Sequence, residues 1–133
     1  DWYELDPEIV ETCYKHLPKV CSKVKKSNSV NTFWGDAFES IKSVEDSKYD
    51  KIFVDLNDDQ YCIDLAKKNM KGLQRILKPG GVITAQVGSK DKKPKQVENW
   101  CKILEKSFGN VTVSGAHIPS FDCNWNFASS ILK

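Results

Sequence analysis

Residues 49–59, Tyr49-Asp50-Lys51-Ile52-Phe53-Val54-Asp55-Leu56-Asn57-Asp58-Asp59, decide how this chain reads. Ile52, Phe53 and Val54 form a continuous apolar run, the pattern of a buried parallel strand covered on both faces. The run ends on a carboxylate and enters a polar turn. Leu65, Ala66, Met70, Leu73, Ile76 and Leu77 then recur at helical spacing, predicting a core-facing helix over Ile63–Leu77. Lys78-Pro79-Gly80-Gly81 stops that helix and leads into a strand, Val82–Val87. Strand, helix and strand in this order make a βαβ unit, and the flanks extend it.

Upstream, Val30–Trp34 reads as a strand that turns through Gly35-Asp36-Ala37 into a short helix with Phe38, Ile41 and Val44 on one face. Before it, Asp1–Asp6 reads as the end of a buried strand. Pro7 suits the first turn of a helix, where its missing N–H costs nothing. Ile9, Val10, Cys13 and Leu17 carry that helix to Pro18. Lys19–Asn28 is polar and basic, a loop or a short extra helix. Downstream, Lys95–Phe108 is a helix with Val97, Trp100, Ile103, Leu104 and Phe108 at apolar spacing, and Val111–Ile118 and Trp125–Leu132 are strands close enough for an antiparallel pair. The fold class is α/β: an open, mostly parallel, doubly wound sheet with an antiparallel C-terminal strand pair.

The 133 residues suit one domain. A net charge of +2 from 20 basic and 18 acidic residues leaves no electrostatic footprint for nucleic acid. The lysine clusters at 23–26 and 90–93 sit among Ser, Asn, Asp and Pro and read as solvated loops. No stretch approaches the roughly 20 apolar residues of a membrane span, and no signal peptide is evident. Five cysteines, none in a Cys-x-x-Cys pair, argue against a zinc site or disulfide framework and fit reduced thiols in the cytoplasm. No metal site is expected. The chain starts inside a strand and without Met, so it reads as a fragment.

Three strands end on acids, at Glu4, Asp36 and Asp55. In open α/β sheets ligands bind beyond the carboxyl ends of the strands, so these acids suggest one cleft. Glu4 could accept hydrogen bonds from a ribose diol, or simply sit near a helix start; Asp6 reads as the N-cap of the first helix. Gly35 lets a ligand approach and Asp36 could accept from an exocyclic amine, although the same acid could cap the helix at Phe38. Asp55 and Asp58 form the sharpest pair: two carboxylates within four residues can hold a cationic amine and take its proton. The alternative is a polar loop in which Asp58 or Asp59 is a helix cap. Gln86 ends the next strand, aimed at the same cleft, and Phe121 and Trp125 either wall it or belong to the core. His16 and His117 read as structural.

Together these segments resemble the C-terminal catalytic domain of the spermidine and spermine synthase family, the aminopropyltransferases. The resemblance rests on Tyr3-Glu4-Leu5-Asp6-Pro7-Glu8-Ile9-Val10, Gly35-Asp36-Ala37, Tyr49–Asp58, Leu77-Lys78-Pro79-Gly80-Gly81-Val82, Gln86, His117-Ile118-Pro119-Ser120-Phe121 and Trp125. It covers nearly the whole chain. The first and fourth segments are common to class I methyltransferases, whereas the Asp-x-x-Asp turn, the Gln strand and the Ile-Pro-Ser-Phe ending are specific in combination.

The resemblance implies a Rossmann-like class I S-adenosylmethionine-dependent methyltransferase fold. It implies transfer of an aminopropyl group from decarboxylated S-adenosylmethionine, a co-substrate, to putrescine or spermidine, with release of methylthioadenosine and no prosthetic group. Glu4 would hold the ribose, Asp36 with Ala37 the adenine, Asp55 would bind and deprotonate the attacking amine, Asp58 would anchor the acceptor, and Gln86, Phe121 and Trp125 would line its site. A homodimer or homotetramer is the implied assembly. Residues 1–133 would be a partial catalytic domain lacking the family's first strand, Gly-rich loop and N-terminal β-domain. Asp59 stands where the family usually has Pro, the gate loop after Asp58 is short, and Phe121 replaces a common Tyr. A non-catalytic relative serving as a binding or oligomerisation module, and a small-molecule methyltransferase of the same fold, are the other readings.

Overall fold

The structure, a computed structural model, describes residues 1–133. It divides into two compact units, Asp1–Val44 and Glu45–Lys133. In the first, β1 (Trp2–Glu4) pairs in parallel with β2 (Thr32–Trp34), with Glu4 opposite Trp34. Between them run α1 (Pro7–His16) and α2 (Pro18–Lys25). Asp6 caps α1 by accepting from the Glu8 N–H at 2.9 Å, and Pro7 opens the helix, as the sequence predicts. The polar Lys19–Asn28 stretch resolves as the extra helix α2 followed by a turn. After β2 come α3 (Ala37–Ser40) and a 3-10 turn (Ile41–Ser43), which bury Phe38 and Ile41.

The apolar face expected of α1 is only partly used. Val10 is buried, but Ile9 is 57% exposed and Leu17 is exposed as well. The first strand likewise is half-buried rather than buried. Helical spacing reports which residues share a face; whether anything covers that face depends on tertiary neighbours.

In the second unit, β3 (Tyr49–Val54), α4 (Gln60–Ile76) and β4 (Leu77–Gly88) form a parallel βαβ unit. Then come α5 (Pro94–Phe108), β5 (Val111–Ile118), a 3-10 turn (Pro119–Phe121) and β6 (Cys123–Ile131). The sheet order is β3-β4-β6-β5, so the last strand inserts between β4 and β5, antiparallel to both. The parallel pairs and the antiparallel C-terminal pair are both present. The Lys78-Pro79-Gly80-Gly81 segment ends the helix yet belongs to the extended β4, absorbed where the β3–β4 register shifts between Tyr49 and Lys51.

Helices α4 and α5 touch each other and both touch β4, so they cover one face of this sheet. That face carries Val54 of β3 and Ile83, Ala85 and Val87 of β4, all buried. Ala66, Met70, Leu73 and Ile76 of α4, and Val97, Trp100, Ile103, Leu104 and Phe108 of α5, fill the layer above. Side chains alternate along a strand, so Phe53 points to the opposite face, where it is 74% exposed. The expectation that β3 is covered on both faces therefore fails within this unit. Three apolar residues in a row satisfied the pattern, but β3 is an edge strand here with helices on one side. No helix is long and apolar enough to cross a membrane.

Candidate active site

Beyond the carboxyl ends of β3 and β4 lies a cleft of about 410 Å³, lined by Asp55, Leu56, Asn57, Asp58, Gln86, Ile118, Phe121, Trp125 and Phe127. The sequence nominated five of these: Asp55, Asp58, Gln86, Phe121 and Trp125. They come from three chain segments, and the order β4-β6-β5 brings them together. Gln86 lies opposite Phe127 in the β4–β6 ladder, which sets Trp125 of β6 beside it.

The Asp58-Asp59 pair divides its tasks. Asp59 is the N-cap of α4, accepting from the Cys62 N–H at 2.7 Å. Burial pushes the Cys62 thiol above its usual range, and the Asp59 carboxylate beside it adds to the shift. Asp58, relieved of capping, turns to the strand ends. Its Oδ1 accepts from Gln86 Nε2 at 3.0 Å and from Gln96 Nε2 at 3.4 Å, and Oδ2 carries no protein partner. Gln86 Nε2 also donates to the Leu56 carbonyl at 2.6 Å, tying the acidic turn to β4.

The orientation of the Gln86 amide follows from its other end. Trp125 Nε1–H donates to Gln86 Oε1 at 2.5 Å. An indole can only donate, so the amide oxygen must face it and the NH₂ must face Asp58. The Trp125 ring in turn lies 4.4 Å, centroid to centroid, from Phe121 at an interplanar angle of 44°. Lys92 Nζ donates to the Phe121 carbonyl at 2.9 Å, fastening the 3-10 turn that carries this ring. Phe121 remains 48% exposed and Trp125 half-buried, so they form a wall rather than core.

Asp55 is exposed at the cleft, and its carboxylate has neither hydrogen bond nor ion pair within the chain. Solvent thus relieves the cost of placing an acid after an apolar strand. None of the lining residues is cationic. The cleft therefore presents two carboxylates, one tethered by neutral amides and one free, beside aromatic and aliphatic surface. Such a site favours a chain-like cation with an apolar middle.

The other nominated residues, Glu4, Asp36 and Ala37, lie in the first unit and form their own group. Glu4 and Trp34 are register partners at the carboxyl ends of β1 and β2, and the Gly35 N–H donates to the Glu4 carbonyl at 2.9 Å. Gly35 has φ +118°, which a residue with a β-carbon rarely adopts, and this opens the turn into α3. Glu4 Oε1 accepts from the Asp6 N–H at 3.0 Å. Asp36 Oδ1 accepts from the N–H groups of Phe38 at 2.7 Å and Glu39 at 3.4 Å. The capping alternative for Asp36 is thus realised, and its other carboxylate oxygen stays available.

The sequence did not nominate Leu56, Asn57, Ile118 or Phe127 as site residues, nor Gln96 behind them. For Gln96 a signal existed: it lies four residues before Trp100 and seven before Ile103, a polar residue on the apolar stripe of α5.

Parallel strands joined through helices, with an antiparallel closing pair, define an α/β fold. The crystal structure of spermidine synthase from Thermotoga maritima has this fold, with a TM-score of 0.83 at 16% identity over 98% of this chain and 44% of that one. A spermidine synthase solved in complex with the transition state analogue AdoDATO gives 0.81 at 15% identity, covering 98% of this chain and 43% of that one. The spermine/spermidine synthase domain matches residues 1–132, and the chain belongs to that family. A polyamine aminopropyltransferase of Korarchaeum cryptofilum (strain OPF8) is 25% identical over 127 residues, 94% of this chain and 39% of that protein. One from Prochlorococcus marinus (strain MIT 9215) is 25% identical over 135 residues, 98% of this chain and 48% of that protein. The chain thus spans less than half the length of these relatives.

Proposed function

We propose that the protein acts as an aminopropyltransferase, moving the aminopropyl group of decarboxylated S-adenosylmethionine to putrescine or spermidine. The observation that carries this reading is the pairing of a free Asp55 with an amide-tethered Asp58 in one cation-free cleft. A diamine needs one carboxylate to hold it and one near the attacking nitrogen. Asp58 anchors the acceptor through its open oxygen, and the Phe121–Trp125 wall takes the methylene chain. Asp55 binds the attacking amine.

The amine nitrogen attacks the methylene carbon beside the sulfonium. The N–C bond forms as the C–S bond breaks, the bonding pair returns to sulfur, and methylthioadenosine leaves as a neutral thioether. Before that attack the bound ammonium must give up a proton to expose its lone pair, and Asp55 accepts it. The sulfonium is already a good leaving group, so holding the two reactants in line is most of the task. Glu4 is assigned to the donor's ribose and Asp36 with Ala37 to its adenine. An unpaired acidic cleft repels a donor carboxylate, which favours the decarboxylated donor over intact S-adenosylmethionine. A methyltransferase reading gives Asp55 and Asp58 no task. The proposed setting is the cytoplasm, consistent with five free cysteines, and the proposed assembly is a homodimer or homotetramer.

The test is mass spectrometry of products from the full-length natural protein, given decarboxylated S-adenosylmethionine with putrescine, with spermidine or with no amine. Amine-dependent methylthioadenosine and an acceptor one aminopropyl unit heavier are expected. No transfer with either amine, from folded protein, contradicts the proposal. Intact S-adenosylmethionine is expected to bind at least about tenfold more weakly than the decarboxylated donor; equal affinities by calorimetry count against the acidic-cleft assignment.

A further inference from the structure

Gly88, at the end of β4, has φ +90°, and a β-carbon placed there would stand 2.7 Å from Gln96 Nε2. The glycine leaves room for a side chain from the first turn of α5 to reach over the strand end. There, Gln96 Nε2 donates to the Val87 carbonyl at 3.2 Å and to Asp58 Oδ1 at 3.4 Å. Both neighbours only accept, so the NH₂ end must face them.

We infer that Gln96 is a positioning residue for the acceptor amine, acting through Asp58 and resting on the function proposed above. Gln86 reaches Asp58 from β4 and Gln96 reaches it from α5, and both meet the same oxygen. One donor alone leaves the carboxylate free to swing about that contact, whereas two from different elements restrict it. Both donors are neutral. A lysine or arginine in either place would hold the carboxylate equally well but would cancel the charge that attracts an ammonium. The two amides therefore orient Asp58 while leaving its charge and its second oxygen to the substrate. The 3.4 Å contact is longer than the 3.0 Å contact of Gln86, so Gln96 is the weaker of the two clamps.

The test is steady-state kinetics of the full-length natural protein and its Gln96→Met variant, with decarboxylated S-adenosylmethionine and the amine it uses. Methionine keeps the length and bulk but offers no donor. The amine KM is expected to rise about three- to tenfold, with a smaller change in kcat. Gln96→Asn, which keeps an amide but withdraws it by one methylene, is expected to behave the same way. In an Asp58→Ala background, Gln96→Met is expected to add nothing, because its effect passes through that carboxylate. A wild-type amine KM in both single variants overturns the inference. So does an undiminished effect of Gln96→Met in the Asp58→Ala background, which would mark a structural role alone. Wild-type protein with no amine-dependent product would refute the proposed function and this inference together, while active wild type with indifferent variants would refute the inference only.

Discussion

The acidic turn after β2 and the acidic turn after β3 look alike in sequence, yet the structure holds their carboxylates by opposite means. Asp36 is held by its own neighbours: the N–H groups of Phe38 and Glu39, two and three residues on. Asp58 is held by side chains 28 and 38 residues away, one on β4 and one on α5. An acid fixed by local backbone is part of the helix it caps, and its removal costs stability. An acid fixed by distant amides depends on the assembled sheet for its orientation. The same composition thus yields an acid held by its own helix in one turn and an acid held across the sheet in the other. Asp59 supports this division, since by capping α4 it frees Asp58 for the cleft.

Substitutions at four positions sharpen or break that contrast. The largest effect is expected at Asp55, which nothing in the chain holds: Asp55→Asn should lower kcat by about 10²–10⁴-fold with unfolding by urea unchanged. Near-normal turnover would remove Asp55 from the proton transfer. Asp58→Ala should raise the amine KM by about 10–100-fold with a smaller loss of kcat, the sign of lost binding to a charged group. A pure kcat effect would contradict its role as anchor. Trp125→Phe keeps the aromatic wall but deletes the indole donor that orients Gln86, so a rise in amine KM of about two- to tenfold is expected. An unchanged KM would show that Gln86 holds its orientation without the indole. The smallest effect belongs to the locally held acid. Asp36→Ala should cost about 1 kcal/mol of stability, whereas Asp36→Asn, itself a good cap, should cost almost none. Because Asp36 is also assigned to the donor's adenine, Asp36→Asn is expected to weaken donor binding; unchanged donor affinity would remove it from that role.

The same contrast explains what could be read in the sequence. Features set by neighbours in the chain were legible: the Asp6-Pro7 helix start, the Asp36 cap as one of two options, and the apolar stripe of α5, all five of whose named residues are buried. Features set by distant partners were not. Ile52-Phe53-Val54 reads as a strand covered twice, but only tertiary structure shows that both helices of its unit lie on the Val54 side. Ile9 and Leu17 recur at helical spacing and remain exposed for the same reason. The insertion of β6 between β4 and β5, which sets Trp125 against Gln86, has no local signature. Five members of the cleft could be nominated because acids or an amide at strand ends and aromatic residues near a turn are conspicuous. Gln96 was not, because its meaning depends on Gly88 and on a carboxylate 38 residues earlier.

The most direct measurement is calorimetric titration of the amine into the wild-type, Asp55→Asn and Asp58→Ala forms of the full-length natural protein, with methylthioadenosine present. If the two carboxylates divide anchoring from proton transfer, Asp55→Asn will bind the amine within a few-fold of wild type despite its lost turnover. Asp58→Ala will then bind it at least about tenfold more weakly. Full affinity in Asp58→Ala, with the loss falling on Asp55→Asn instead, would contradict the account.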